Sequence, residues 1–501
     1  MGSPEPGQAR LTSHIRIAIV GSGFGGLGTA IRLRQEGIHD FLVFERAEDI
    51  GGVWRDNSYP GCACDVQSHL YSFSFARNPN WSRAYSPRDE IHAYLGDCVQ
   101  RFAITPHLRL GHTIERAAWD DATQVWRIAT NRGDFTADIV VSAVGGLSEP
   151  RMPALPGLAT FKGRMFHSAR WDHAYDLAGK RIAVVGTGAS AIQFIPEIQP
   201  TVATLAVFQR TPPWVMPRSD RALSERSKAV LRASSLAQLA VRGALYAYRE
   251  LIALAFVDGR MSRYATKGAT RYLRHAVPDP VLRAKVTPSY QFGCKRILVS
   301  NDYYPALSKD NVTVETSGIA VITEDAVIAR DGTRYPVDAI IFGTGFEIQD
   351  QPFARLVYGR DGRSMQETWG ERMTAHLGTT VGNFPNLFML LGPNTALGHS
   401  SVIVMIEAQI GYLLSALRYM ERHAIATIEP RRSAQDAWIA DVDRRTAGTA
   451  WVTGGCDSWY LDEKRHNSTL WPTFTFTYKR RVARFDPREY VLTLPRSVSV
   501  L

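Results

Sequence analysis

Hydrophobic positions fall into two blocks of like shape along this 501-residue chain. Ile15 to Val20 is a short apolar run followed by Gly21-Ser22-Gly23-Phe24-Gly25-Gly26, a helix-like stretch to Gln35, and a second apolar run, Phe41 to Phe44, ending on Glu45. Strand, glycine turn, helix and strand in that order predict a βαβ unit of the dinucleotide-binding type. The arrangement recurs. Arg181 to Val185 predicts a strand, Gly186-Thr187-Gly188-Ala189-Ser190-Ala191 the turn, and a helix leads on to the strand Leu205 to Gln209. Ile139 to Gly146 and Ala339 to Phe346 each predict a buried strand closing on glycines. Such endings suit a chain that leaves a first domain, builds a second and returns, with Pro150, Pro153 and Pro156 marking the outward crossing. Ser219 to Ala276 has helical spacing and no strand pattern.

The expected fold class is α/β: two Rossmann-like dinucleotide-binding domains with a helical insert. The first domain is assigned to residues 12–148 and 335–501, and the second to 149–218 and 285–334. The helical subdomain takes 219–284.

Composition narrows the function classes. Hydrophobic residues at 45% and charged residues at 21% describe a folded globular chain, long enough for two or three domains. Lys plus Arg is 58 against 48 for Asp plus Glu, a formal charge of +10. That excess is spread without a Lys/Arg stripe, so nucleic acid is not an expected partner and small phosphates are. Five cysteines, Cys62, Cys64, Cys98, Cys294 and Cys456, show no framework spacing and point to a reducing, cytoplasmic setting. Cys62 and Cys64 lack the spacing of a redox or zinc pair, and no metal site is expected. Met1 to Thr12 is polar and does not resemble a signal peptide. Leu236 to Val257 is rich in Leu, Ala and Tyr, but Arg242, Arg249 and Glu250 interrupt it. A packed amphipathic helix is expected there, not an integral membrane segment, with a membrane-surface face as the minor option.

The glycine turns carry the first chemistry. Residues without Cβ let the backbone approach a pyrophosphate, which then meets free N–H groups at a helix N-terminus. Glu45 stands where an acid accepts hydrogen bonds from a ribose diol. The second turn has Ala191 in place of the third glycine, and its second strand ends on Gln209-Arg210-Thr211 in place of an acid. Arg210 suits a 2′-phosphate, and Lys295, far along the chain, offers a second cation. FAD in the first unit and NADPH in the second is the expected pair. A disulfide reductase would use the same pair but needs a redox-active cysteine pair beside the flavin, and none of the five has that spacing.

Two longer stretches carry a family resemblance. The run from Gly51 to Asp65, Gly-Gly-Val-Trp-Arg-Asp-Asn-Ser-Tyr-Pro-Gly-Cys-Ala-Cys-Asp, ends a glycine-rich aromatic segment on an acid. Phe161 to Asp172 reads Phe-Lys-Gly-Arg-Met-Phe-His-Ser-Ala-Arg-Trp-Asp. Both match the fingerprints of type I Baeyer–Villiger monooxygenases, class B flavoprotein monooxygenases, at every defined position. Gly343-Thr344-Gly345-Phe346 and Phe384-Pro385-Asn386-Leu387-Phe388 match as well, and the resemblance runs from Ile15 to Tyr478.

The resemblance implies FAD- and NADPH-dependent oxidation of ketones by O2 to esters or lactones, through a C4a-peroxyflavin. It implies that Arg296, in Gly293-Cys294-Lys295-Arg296, sits over the flavin, and that Asp65 is the flavin-side acid orienting it. It places Gly21, Gly23, Phe24, Gly26, Glu45, Val53, Trp54, Asp65, Tyr71 and Ile114 at FAD. Gly186, Thr187, Gly188, Ser190, Gln193, Arg210, Thr211, Lys295 and Trp459 fall at NADPH, Trp459 at the nicotinamide end. His167 is implied to be an interdomain hinge and not a general base. One segment departs: Leu461 to Asn467 follows Ser458-Trp459-Tyr460 where cyclic-ketone members carry a glycine- and proline-containing loop. That is closer to the hydroxyacetophenone-type branch. Two alternatives stay open, a flavin monooxygenase oxidising sulfur or nitrogen and, remotely, a non-catalytic NADPH-sensing flavoprotein.

Overall fold

The computed structural model describes residues 13–257, 259–349 and 351–496, so the N-terminal stretch to Thr12 and the last five positions of the first domain lie outside the described residues. β1 (Ser13–Val20) runs through the glycine turn into α1 (Phe24–Gln35), and β2 (Phe41–Phe44) returns parallel to β1, with Ile17 opposite Phe41. Ile17, Ala18 and Ile19 are all fully buried, as a parallel strand covered on both faces requires. β3 (Leu108–Arg109), β4 (Ile114–Asp120), β5 (Val125–Thr130) and β6 (Gly133–Ser142) complete the outward half of this sheet. β6 lies parallel to β1, while β4, β5 and β6 form an antiparallel wing.

The chain then builds a second, all-parallel sheet. β7 (Arg164–His167), β8 (Arg181–Val185), β9 (Thr204–Phe208), β10 (Val312–Glu315) and β11 (Ala339–Phe342) stand in the order β10-β9-β8-β11-β7. α2 (Ala191–Ile198) follows the second glycine turn. The position of β11 corrects the assigned boundary at residue 335. Ala339, Ile340, Ile341 and Phe342 are all 0% exposed, and this strand lies inside the second sheet between β8 and the edge strand β7. The return to the first sheet therefore comes after Phe342, with β12 (Val357–Tyr358) added to β4 and β13 (Leu387–Met389) to β6.

The insert is helical, as its spacing predicts: α3 (Glu225–Ala233), α4 (Ser235–Val257) and α5 (Gly259–Ala276), with a last short helix reaching Val286, just past the assigned end. A helix that the pattern did not single out, α6 (Val402–Arg422), is long and apolar enough to cross a bilayer. It lies instead in the core of the first unit, with Ile403, Met405, Tyr412 and Leu413 fully buried beside α1.

Candidate active site

The two glycine turns take one shape for one reason. Gly21 (φ +102°) and Gly186 (φ +104°) occupy the left-handed region, and a Cβ on them would stand 2.7 Å from the Ala143 carbonyl oxygen and 2.5 Å from that of Gly343. Each turn is pressed against the end of a neighbouring strand, β6 or β11, so only glycine fits. Neither α1 nor α2 has a side-chain cap. The first N–H groups of α1 remain for a ligand oxygen, while in α2 those of Ile192 and Gln193 already donate to the Gly188 and Ser190 carbonyls. Both turns fit a dinucleotide pyrophosphate.

Glu45 is more engaged than its spacing suggests. Its carboxylate accepts from the Ser22 N–H (3.0 Å) and Oγ–H (2.7 Å), from the Ala47 N–H (3.0 Å), and from Arg55 Nη1 (3.0 Å). It closes the turn itself, beside any contact to a ribose. Ile114, at the start of β4, is buried and packs in the second apolar cluster of this unit.

The Gly51–Asp65 stretch runs from this turn towards the second unit. The Gly51 N–H donates to the Ser22 carbonyl, and a short helix, Val53–Asp56, buries Trp54. Trp54 Nε1 donates to the Tyr71 hydroxyl at 3.2 Å, and Tyr71 meets Phe24 edge-on at 5.3 Å, forming an aromatic wall beside the glycine turn. Gln193, expected at the nucleotide, spends its amide here: its oxygen accepts from the Tyr59 hydroxyl (2.9 Å) and its nitrogen donates to the Ala63 carbonyl (3.0 Å). It ties α2 to the stretch that ends on Asp65.

Asp65 and Arg296 meet as expected. Arg296 donates from Nε (3.0 Å) and Nη2 (2.5 Å) to Asp65 Oδ2, and the two side chains stay 31% and 26% exposed towards the cleft. Arg249, from α4, adds a second cation by donating to the Asp65 carbonyl oxygen at 3.0 Å and to Gln67 at 2.8 Å. Burial alone would raise the Asp65 pKa, but the charge and hydrogen bonds of Arg296, with Arg249 behind them, hold it below the ordinary carboxylate value. Asp65 in turn raises the Arg296 pKa further above its already high value. The pair is ionised at any working pH.

Tyr460 belongs to the same site and was not foreseen. It is 1% exposed, its hydroxyl has no hydrogen-bond partner among the described residues, and it senses the charges of Arg296 and Asp65. Burial pushes its pKa up to about 12, so it is a neutral phenol with a proton to donate. Only the unsatisfied hydroxyl signals this, and spacing cannot show it.

On the side of the second unit, Arg210 is exposed at the end of β9, next to half-buried Thr211, with buried Thr187 and half-buried Ser190 on the glycine turn. Lys295 has a lowered pKa, first from burial and then from the like charge of Arg210. Two cations brought together at some electrostatic cost fit an anion such as a 2′-phosphate. Trp459 is 41% exposed, its ring edge-on to Tyr460 at 4.4 Å.

The cysteine expectation needs correction. Cys294 and Cys456 form a disulfide, joining the loop of Lys295 and Arg296 to the loop of Trp459 and Tyr460. A separation of 162 residues hides such a pair from any spacing argument. Cys62, Cys64 and Cys98 are free and buried, and burial raises all three thiols, Cys62 and Cys98 to about 11. His167 is buried at the end of β7, where it accepts from the Ala169 N–H (3.0 Å) and packs against Phe346 of the returning chain. Burial lowers its pKa to about 4, so at neutral pH it is an uncharged structural group between the units.

Residues 14–225 match the flavin-binding monooxygenase-like family. A Baeyer–Villiger monooxygenase of Streptomyces coelicolor is 51% identical over 489 residues, covering 97% of this chain and 94% of that protein. A second one, of Pseudomonas aeruginosa, is 48% identical over 98% of this chain and 93% of its own. The chain belongs to the Baeyer–Villiger monooxygenases. Its fold agrees across the same span: cyclohexanone monooxygenase from Rhodococcus sp. Phi1 bound to NADP+ superposes with a TM-score of 0.86 at 28% identity, covering 96% of this monooxygenase and all of that chain. A steroid monooxygenase bound to NADP superposes with a TM-score of 0.84, also at 28% identity, over 97% of this chain and all of its own.

Proposed function

We propose that this Baeyer–Villiger monooxygenase stands closer to the hydroxyacetophenone-type branch than to the cyclohexanone type, with Arg296 and Asp65 as its catalytic pair. It takes FAD at the first glycine turn and NADPH at the second, and oxidises ketones with O2 to esters or lactones. The branch rests on the Leu461–Asn467 segment, a charged loop closed on itself by hydrogen bonds from the His466 N–H to the Asp462 carboxylate and from the Asp462 N–H to the His466 carbonyl. It borders Tyr460 and favours aryl or linear ketones over small rings.

The Arg296–Asp65 ion pair carries the assignment. FAD reduced by NADPH supplies the oxygen-activating chemistry when bound. The chain supplies a fixed positive charge that cannot be neutralised, a guanidinium aimed by Asp65 at the place where negative charge develops on the ketone oxygen. Tyr460 adds a neutral donor beside the pair, and Lys295 with Arg210 would hold the 2′-phosphate that distinguishes NADPH. The aromatic wall of Trp54, Tyr71 and Phe24, beside the first glycine turn, would exclude water from bound FAD there.

Product analysis with O2, NADPH and a panel of aryl, linear and cyclic ketones plus a thioether tests the reading. Esters from the aryl or linear ketones are expected, with any sulfoxide a minor product. Cyclic ketones as the only good substrates would place the enzyme in the other branch, and sulfoxide as the only product would defeat the ketone assignment. Arg296→Ala is expected to abolish ester formation yet leave flavin reduction by NADPH, and loss of both would contradict the role given to Arg296.

A further inference from the structure

The insert carries a surface that the reaction does not use. More than half of the exposed large hydrophobic side chains among the described residues lie between Val230 and Tyr264. α4 explains why: it is inverted relative to an ordinary surface helix. Its charged side chains point inward. Buried Arg242 donates to the backbone carbonyls of His69 (3.0 Å) and Ser72 (2.8 Å), Arg249 holds the Asp65 carbonyl, and buried Glu250 accepts from the Thr475 N–H at 3.0 Å. Its solvent side has no charge. Leu236 (77% exposed), Leu239, Ala244, Ala247, Tyr248 and Leu251 (66%) follow one another along it.

Beside this apolar stripe lies a cationic one, which corrects the expectation that the basic excess is spread without a Lys/Arg stripe. α5 packs against α4 and turns Arg263, Lys267, Arg271 and Arg274 outward at helical spacing, with Tyr264 exposed among them. An apolar face of this size on a soluble domain marks a docking surface. The charge decides the occupant. A second copy related by a two-fold axis would bring two such cationic stripes together, in a chain already carrying +10. A surface that is apolar along its length and anionic at its edge meets both demands.

We propose that α4 and α5 dock on the surface of an anionic phospholipid bilayer, the apolar face of α4 lying in the headgroup layer and the basic side chains of α5 meeting lipid phosphates. Arg242, Arg249 and Glu250 prevent α4 from crossing the bilayer, since they are held inward by the protein; the helix lies in the plane of the interface. Arg249 reaches from its inner face to Asp65, so a single helix separates the docked surface from the Arg296–Asp65 pair.

Flotation of the holoenzyme with vesicles tests this. Phosphatidylcholine vesicles containing phosphatidylglycerol should carry the enzyme with them, and pure phosphatidylcholine vesicles should bind about tenfold less or weaker still. The double substitution Leu236→Asp/Leu251→Asp should abolish flotation while FAD content and turnover of a water-soluble ketone stay unchanged. Lys267→Glu/Arg271→Glu should weaken binding to the anionic vesicles about tenfold or more, and this pair decides the matter alone if the apolar variant loses its FAD. Failure of the native enzyme to float with anionic vesicles, or flotation of both variants equal to that of the native enzyme, overturns the proposal. So does a native dimer that Leu236→Asp/Leu251→Asp converts to monomer, which would assign the face to a second copy.

Discussion

Tyr460 and Lys295 show how a single side chain acquires a function from its surroundings. The Tyr460 hydroxyl is buried with nothing to bond, next to an ion pair, so the fold leaves a donor unsatisfied unless a ligand or water meets it. Tyr460→Phe removes that donor without breaking an internal hydrogen bond. The variant should keep the melting temperature and the rate of flavin reduction by NADPH, and lose about tenfold in kcat/KM for ketones. A large fall in melting temperature would instead make Tyr460 a packing residue. Lys295 and Arg210 are a pair of like charges held close, and an anion relieves them. Lys295→Ala or Arg210→Ala should raise the KM for NADPH about 10- to 100-fold and leave NADH almost unchanged, as measured by flavin reduction with each. Arg210 could be picked out from the chain because it ends the strand that follows the second glycine turn, and Asp65, Arg296 and Lys295 because they stand in motifs of the family the chain resembles. Tyr460 could not: its role lies in an absence of partners, which exists only once the chain is folded.

At the level of elements, the βαβ units were the most legible part, because a doubly covered parallel strand must be continuously apolar and its turn must be glycine. β1, β2 and β8 carry that signature without ambiguity. β11 carries it too, yet Ala339–Phe342 has the same look whichever sheet it joins, so the boundary at residue 335 fell one strand early. The disulfide was invisible for the opposite reason, since a pairing across 162 residues leaves no local pattern. It fastens the Arg296 loop to the Tyr460 loop, so the two loops share one anchor. Cys456→Ser should lower stability by about 2–4 kcal/mol and release the two loops from one another. More of the NADPH consumed should then go to peroxide and less to ester, measured as the ratio of ester formed to NADPH oxidised. An unchanged ratio, with only the melting temperature lowered, would confine the bridge to a structural role.

For the whole molecule, the arrangement of the two sheets and the insert places the cleft where elements from all three parts converge: Asp65 from the first unit, Arg296 from the segment following the insert, and Arg249 from α4. The order of units along the chain was legible, but their mutual packing was not: Gln193 and Arg249 act across the boundaries through contacts that no motif encodes, and only His167 was expected there, as the hinge that the resemblance implies. His167 allows that packing to be probed by acid. Its folded pKa, about 4, lies below the ordinary 6.5 because burial disfavours the charged ring. Below pH 6.5 the unfolded chain takes up a proton at this residue that the folded protein refuses. The stability it contributes is therefore complete above pH 6.5 and is lost progressively as pH falls from 6.5 towards about 4. His167→Asn keeps an acceptor for the Ala169 N–H but cannot take up a proton, so its unfolding free energy, followed by urea titration across that window, should fall less steeply with acid than that of the native enzyme, by a slope approaching one proton. Parallel slopes would mean that the interface between the units stays closed for reasons independent of the neutral imidazole.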